Sequence, residues 1–98
     1  MANSRIAFTQ DTQDKIEFTK DNINTKIMKV GEIIKAVRQA KHQTREKIAR
    51  ESEMTQNALY FIEQGKSTPT MNTLFKLTKT LGLSIYITDG ETNWEVEE

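Results

Sequence analysis

The sequence has no cysteine and a single histidine, His42, among its 98 residues. Disulfides, thiolate nucleophiles and most zinc sites are thereby excluded, and no cofactor or metal is expected. There is no glycine-rich phosphate loop, and His42 lies among lysines with no acid placed to orient it. It reads as a helix-terminal residue or a phosphate contact, and an enzyme is the class these residues disfavour most. No apolar run approaches the roughly 18 residues of a membrane-crossing helix, and the first residues lack the apolar centre of a secretory signal. A soluble, cytoplasmic chain with no membrane partner is expected, large enough for one small domain plus arms. Net charge is also lacking: the formal charge is zero, so composition gives no bulk attraction to nucleic acid.

What is present is unevenly spread. Lys26, Lys29, Lys35, Arg38, Lys41, Arg45, Lys47 and Arg50 face only Glu32 and Glu46 between positions 26 and 50. Asp89, Glu91, Glu95, Glu97 and Glu98 then fill the end of the chain with acids and no base. A basic first half and an acidic tail point to two partners, or to a tail that competes for the basic face. Charge alone leaves a solvated helix face equally open.

Residues 1–26 are polar, with the isolated pairs Ile6/Phe8 and Ile16/Phe18 in two similar phrases. Two weak strands without a third are marginal in water, so this segment is expected to be a flexible arm. From 27 to 82 the spacing becomes helical. Val30, Ile33, Ile34, Val37 and Ala40 predict a first helix ending near Lys41. Thr44 is placed to cap a short second helix carrying Ile48 and Ala49. Thr55 caps a third with Ala58, Leu59 and Ile62 inward, ended by Gly65. After Pro69, Thr70 caps a fourth with Leu74, Leu77, Thr78 and Leu81 inward, stopped by Gly82. Residues 83–89 then alternate with period two, predicting one strand that includes Leu83, Ile85, Tyr86 and Ile87. It has no obvious partner in its own chain, so pairing with a second copy is expected, the first segment being the rival partner. Residues 90–98 read as a flexible acidic tail carrying Trp94.

Three short helices with a tight turn between the second and third form the arrangement that places a helix in the major groove. The run from Thr44 to Ala49, the run from Thr55 to Thr70 with its Ile62-Glu63-x-Gly65-Lys66-x-x-Pro69 close, and Leu74 to Leu83 resemble the Xre/Cro-repressor helix-turn-helix family. The resemblance covers about residues 30–83, and the terminal strand is similar to the HipB-like antitoxin branch. It implies an all-α, lambda-repressor-like domain of four to five helices, with one C-terminal β-strand paired across a homodimer. It implies double-stranded DNA with an inverted-repeat operator as ligand, and a kinase-like toxin as a protein partner. Trp94 is the candidate anchor for that partner, with the Phe8/Phe18 arm a second candidate; a fold-back of Trp94 onto the dimer or the arm is the alternative.

Carried over by position, the family sets Arg45 and Lys66 beside phosphates and turns Gln56, Asn57 and Phe61 toward base edges. The amides of Gln56 and Asn57 suit adenine, whereas Phe61 departs from the usual polar residue and could meet a thymine methyl or pack on protein. Tyr60 is a candidate phosphate donor. Arg38 and Glu63 are expected to pair between the first and third helices. Two departures stand out: Arg45 replaces the usual glutamine, and Glu53 occupies a turn where glycine is preferred. A plain repressor without a toxin partner, and an interaction module that has lost DNA binding, remain alternatives.

Overall fold

The computed structural model describes residues 27–98; the arm expected over 1–26 lies outside the described residues. Four helices form among the described residues, α1 (Val30–Ala40), α2 (Arg45–Glu51), α3 (Gln56–Glu63) and α4 (Met71–Leu81). Three start on threonine caps. Thr44 Oγ1 accepts from the Lys47 amide at 3.1 Å, Thr55 Oγ1 from Ala58 at 3.0 Å and Thr70 Oγ1 from Thr73 at 3.2 Å. Each satisfies an amide that the helix leaves without a partner.

All four helices end the same way. The chain turns through a left-handed residue, His42 (φ 56), Glu53 (φ 61), Gly65 (φ 77) or Gly82 (φ 73). The next amide reaches back five residues: Gln43 to Arg38 O, Met54 to Ala49 O, Lys66 to Phe61 O and Leu83 to Thr78 O. Glycine adopts this conformation freely; at His42 and Glu53 a side chain costs about 1–2 kcal/mol. The tight turn before α3 thus keeps a left-handed geometry despite Glu53, whose carboxylate lies 3.2 Å from Lys76 Nζ. His42 is a helix terminator.

The core contains Ile34, Ile48, Ala49, Leu59, Ile62, Leu77 and Leu81, with Val30, Val37, Met54, Leu74 and Leu83 packed against it. α1 and α2 each pack on α3 and α4. The inward face of α1 keeps Val30, Ile34 and Val37 of its apolar residues but not Ile33 and Ala40. Gly31, Ile34 and Arg38 are its buried positions, while Ile33 and Ala40 are exposed. The helix is rotated so that Gly31 meets the backbone of α3. Two hydroxyls buried in the helical unit are matched: Ser52 Oγ donates to Thr80 Oγ1 at 3.0 Å and Thr78 Oγ1 to Leu74 O at 2.9 Å.

Two expectations for the end of the chain are corrected. Leu83 is not a strand residue; it packs on the helical core, the hydrophobic contact that accompanies this type of helix ending. The strand itself, β1 (Ile85–Thr88), finds a partner in its own chain, β2 (Asn93–Val96), where an unpaired flexible tail was expected. Asp89 makes the turn possible. Its carboxylate accepts from the Thr92 amide at 2.7 Å and the Glu91 amide at 2.9 Å, and Gly90 takes φ 97. These amides, Thr92 first, hold the Asp89 carboxyl below its ordinary pKa. The Asp89 amide donates to Thr92 O at 3.2 Å, and the same register brings Tyr86 Oη to Glu95 at 3.4 Å and sets Ile87 opposite Trp94. Ile87 and Trp94 are both exposed. The hairpin Tyr86–Val96 and the helical unit Met28–Ile85 are separate compact units. No helix among the described residues is long and apolar enough to cross a membrane.

Candidate nucleic-acid interface

The periodicity of α3 divides it into two faces. Leu59, Ile62 and Glu63 are buried, and Gln56, Asn57, Tyr60, Phe61 and Gln64 are exposed. The exposed positions recur at steps of three and four, so they line one side of the helix. Gln56 and Asn57 stand in its first turn, immediately after the Thr55 cap, with both amides in solvent. Tyr60 and Phe61 follow one turn later, their ring centroids 5.8 Å apart and their planes tilted by 56°. Phe61 packs against a neighbouring ring and keeps 42% of its surface exposed. Lys66 is exposed just beyond the helix end.

Behind this face lies a buried electrostatic joint. Arg38 donates from Nε to Glu63 Oε2 at 2.7 Å and from Nη2 to Glu63 Oε1 at 3.0 Å. Its Nη1 donates to Gln43 O at 2.9 Å, one residue before the cap of α2. One guanidinium therefore links α1, the entry to α2 and the end of α3. The Glu63 side chain is fully shielded from solvent, and that of Arg38 is 8% exposed. Two parallel N–H donors on a carboxylate supply the charge-assisted geometry that such burial requires.

Sequence reasoning missed the third member. Arg45, at the first position of α2, donates from Nε to Glu63 Oε1 at 3.0 Å. Its guanidinium also lies over the Tyr60 ring, with Cζ 5.1 Å from the centroid, within cation–π range. The arginine that replaces the family's glutamine thus ties α2 to α3 instead of standing alone. Nothing in the hydrophobic pattern signals this contact; the only hint is the substitution itself. Of the residues singled out from sequence, the helical unit unites Arg38, Arg45, Glu63, Tyr60 and Phe61 in a contact chain, and sets Gln56 and Asn57 on the same exposed face of α3. Ile85, Tyr86, Ile87 and Trp94 belong to the two-stranded sheet. Among the described residues no cluster of histidines, cysteines or carboxylates could hold a metal ion.

Residues 34–87, just over half of the chain, match the profile of a family described as helix-turn-helix. The match spans α2, α3 and the connection between them. No curated protein matches the chain significantly.

Proposed function

The chain belongs to the Xre and lambda-repressor-like helix-turn-helix family of DNA-binding regulators, and from that premise we propose that it is a sequence-specific repressor acting as a homodimer on an inverted-repeat operator. The exposed face of α3 carries this reading. Gln56 and Asn57 are the base readers, each able to bond adenine N6 and N7 for about 1–3 kcal/mol of discrimination. Phe61 extends the face with an apolar contact. Arg45, Tyr60 and Lys66 hold phosphates, which fix the position of α3 without reading sequence. Two copies related by a two-fold axis require half-sites about one helical turn apart, or a multiple of that distance.

The test is selection of bound sites from a random duplex pool, repeated with Gln56→Ala/Asn57→Ala. The unaltered chain is expected to enrich an inverted repeat, and the double variant, while still folded, to lose that preference. Failure of the unaltered chain to enrich any site at low salt would favour a protein-interaction module instead.

The finer reading is an antitoxin that represses its own promoter and binds a kinase-like toxin, as the resemblance to HipB-like proteins implies. The exposed Ile87 and Trp94, set across from each other on the hairpin, support a protein-binding surface. A kinase-like protein encoded in the adjacent reading frame should co-purify with this chain, and Trp94→Ala should weaken the complex at least tenfold, about 1.4 kcal/mol. An unchanged affinity would remove Trp94 from the interface.

A further inference from the structure

Arg45 carries five N–H groups, and its contacts in the fold use one of them. Its Nε is bound to Glu63 Oε1 at 3.0 Å, and its guanidinium lies over the Tyr60 ring. Among the described residues no hydrogen bond engages its terminal Nη1 and Nη2, and the side chain remains 34% exposed. Glu63 is held in turn by two bonds from Arg38, so it cannot swing away with Arg45. One carboxylate between two guanidiniums leaves a net positive charge at this joint, beside the Tyr60–Phe61 end of the exposed α3 face.

We propose that Glu63 and Tyr60 hold Arg45 as a pre-set clamp for one phosphodiester of duplex DNA. The terminal nitrogens of Arg45 are the donors, and Glu63 is a positioning residue that acts through it. The proposal rests on the DNA-binding reading and adds to it the roles of Glu63 and Tyr60. A planar guanidinium fixed along Nε still presents N–H groups that can span two phosphate oxygens. A lysine has a single ammonium at the end of a flexible stem. It cannot lie against Glu63 and reach a phosphate with the same fixed fork, so charge and geometry can be separated by substitution.

The probe is a mixed-sequence DNA duplex about two helical turns long, because phosphate contacts are independent of sequence. Its affinity is measured over a salt series for the unaltered chain, Arg45→Lys, Arg45→Gln and Glu63→Gln, each at a temperature where circular dichroism shows it folded. Arg45→Gln is expected to weaken binding and to lower the salt slope by about one. Arg45→Lys is expected to bind about five- to tenfold more weakly although it keeps the charge. Folded Glu63→Gln should also weaken binding several-fold while keeping the slope, because the Arg45 charge remains but its orientation is lost. Arg45→Lys at wild-type affinity overturns the clamp, since charge alone then suffices. An unchanged slope in Arg45→Gln overturns the phosphate contact. A folded Glu63→Gln that binds like the unaltered chain overturns the positioning role and leaves Glu63 purely structural; if that variant does not fold, the two Arg45 variants decide the clamp. No binding by the unaltered chain at low salt is a different failure, and it overturns the DNA reading itself.

Discussion

Gly31→Ala is expected to unfold the helical unit at room temperature, or to leave it folded with α1 pushed away from α3. A Cβ at position 31 would lie 1.9 Å from the Ile62 carbonyl oxygen and 2.9 Å from its carbon. Carbon–oxygen contacts in close-packed helices are ordinarily about 3.3–3.6 Å, so the added methyl group needs more than an ångström of relief. The obstructing atoms are backbone, and no rotamer change moves them. Separating the helices would loosen Ile34, Leu59 and Ile62 and carry Arg38 away from Glu63, because Gly31 and Arg38 share the buried face of α1. Overpacking costs about 1–3 kcal/mol when side chains can adjust, and a fixed backbone puts this case at or above the top of that range. A domain of this size has roughly 5 kcal/mol or a little more in total. The sign of the effect is diagnostic. Alanine is favoured over glycine in a helix by about 1 kcal/mol, so without the close approach the substitution would stabilise. Thermal unfolding followed by circular dichroism separates the two cases, and a raised melting temperature would remove the close approach of α1 to α3.

That same residue shows where sequence reading stops. The threonine caps were legible because a cap is a local matter: a hydroxyl, an amide three residues on, and nothing further away. The two faces of α3 were legible because Leu59 and Ile62 are apolar and Gln56 and Asn57 are polar. On α1 the rule held for Ile34 and failed for the other two buried positions, which are a glycine and an arginine. Gly31 is inside for what it lacks, and its partner is the backbone of a helix distant in sequence. Ile33 and Ala40, apolar and suitably spaced, were drawn inward by the pattern, yet they lie outside. Hydropathy cannot express a requirement for no side chain, nor a charge buried because its partner is buried beside it.

Charge was harder to read than shape. Arg45 suggested a free contact for a phosphate, because sequence shows the cation and not the carboxylate it meets. The acids after Asp89 suggested a solvated tail. Asp89 instead turns its carboxylate back onto two amides of its own turn, a contact that reads as composition until the chain reverses there. Asn93 to Val96 are then close enough to pair with β1, and the strand expected to need a second copy has an internal partner.

Glu63→Ala is the second large effect, an expected loss of about 3–5 kcal/mol, the usual cost of removing one member of a buried pair. Truncation takes away the acceptor of three bonds: two from Arg38 at 2.7 and 3.0 Å and one from Arg45 at 3.0 Å. Arg45, partly exposed, can recover water. Arg38 is 7% exposed and keeps only its Nη1 bond to Gln43 O, so a nearly buried guanidinium would be left without its counter-charge. Glu32→Ala is the matched control. Glu32 is exposed, its carboxylate accepts the Lys29 amide at the start of α1 at a long 3.3 Å, and its loss is expected to cost no more than about 1 kcal/mol. Equal melting temperatures for the two variants would show that the joint carries little of the stability. A further comparison separates the cost of the orphaned charge from the worth of the joint. In Arg38→Met/Glu63→Leu the charge and its partner leave together, and apolar replacements of a buried pair are often neutral or better. If that double variant melts near the unaltered chain while Glu63→Ala does not, the pair contributes little net stability. Its role is then to fix how α1, α2 and α3 meet, which sets the angle at which Gln56 and Asn57 are presented.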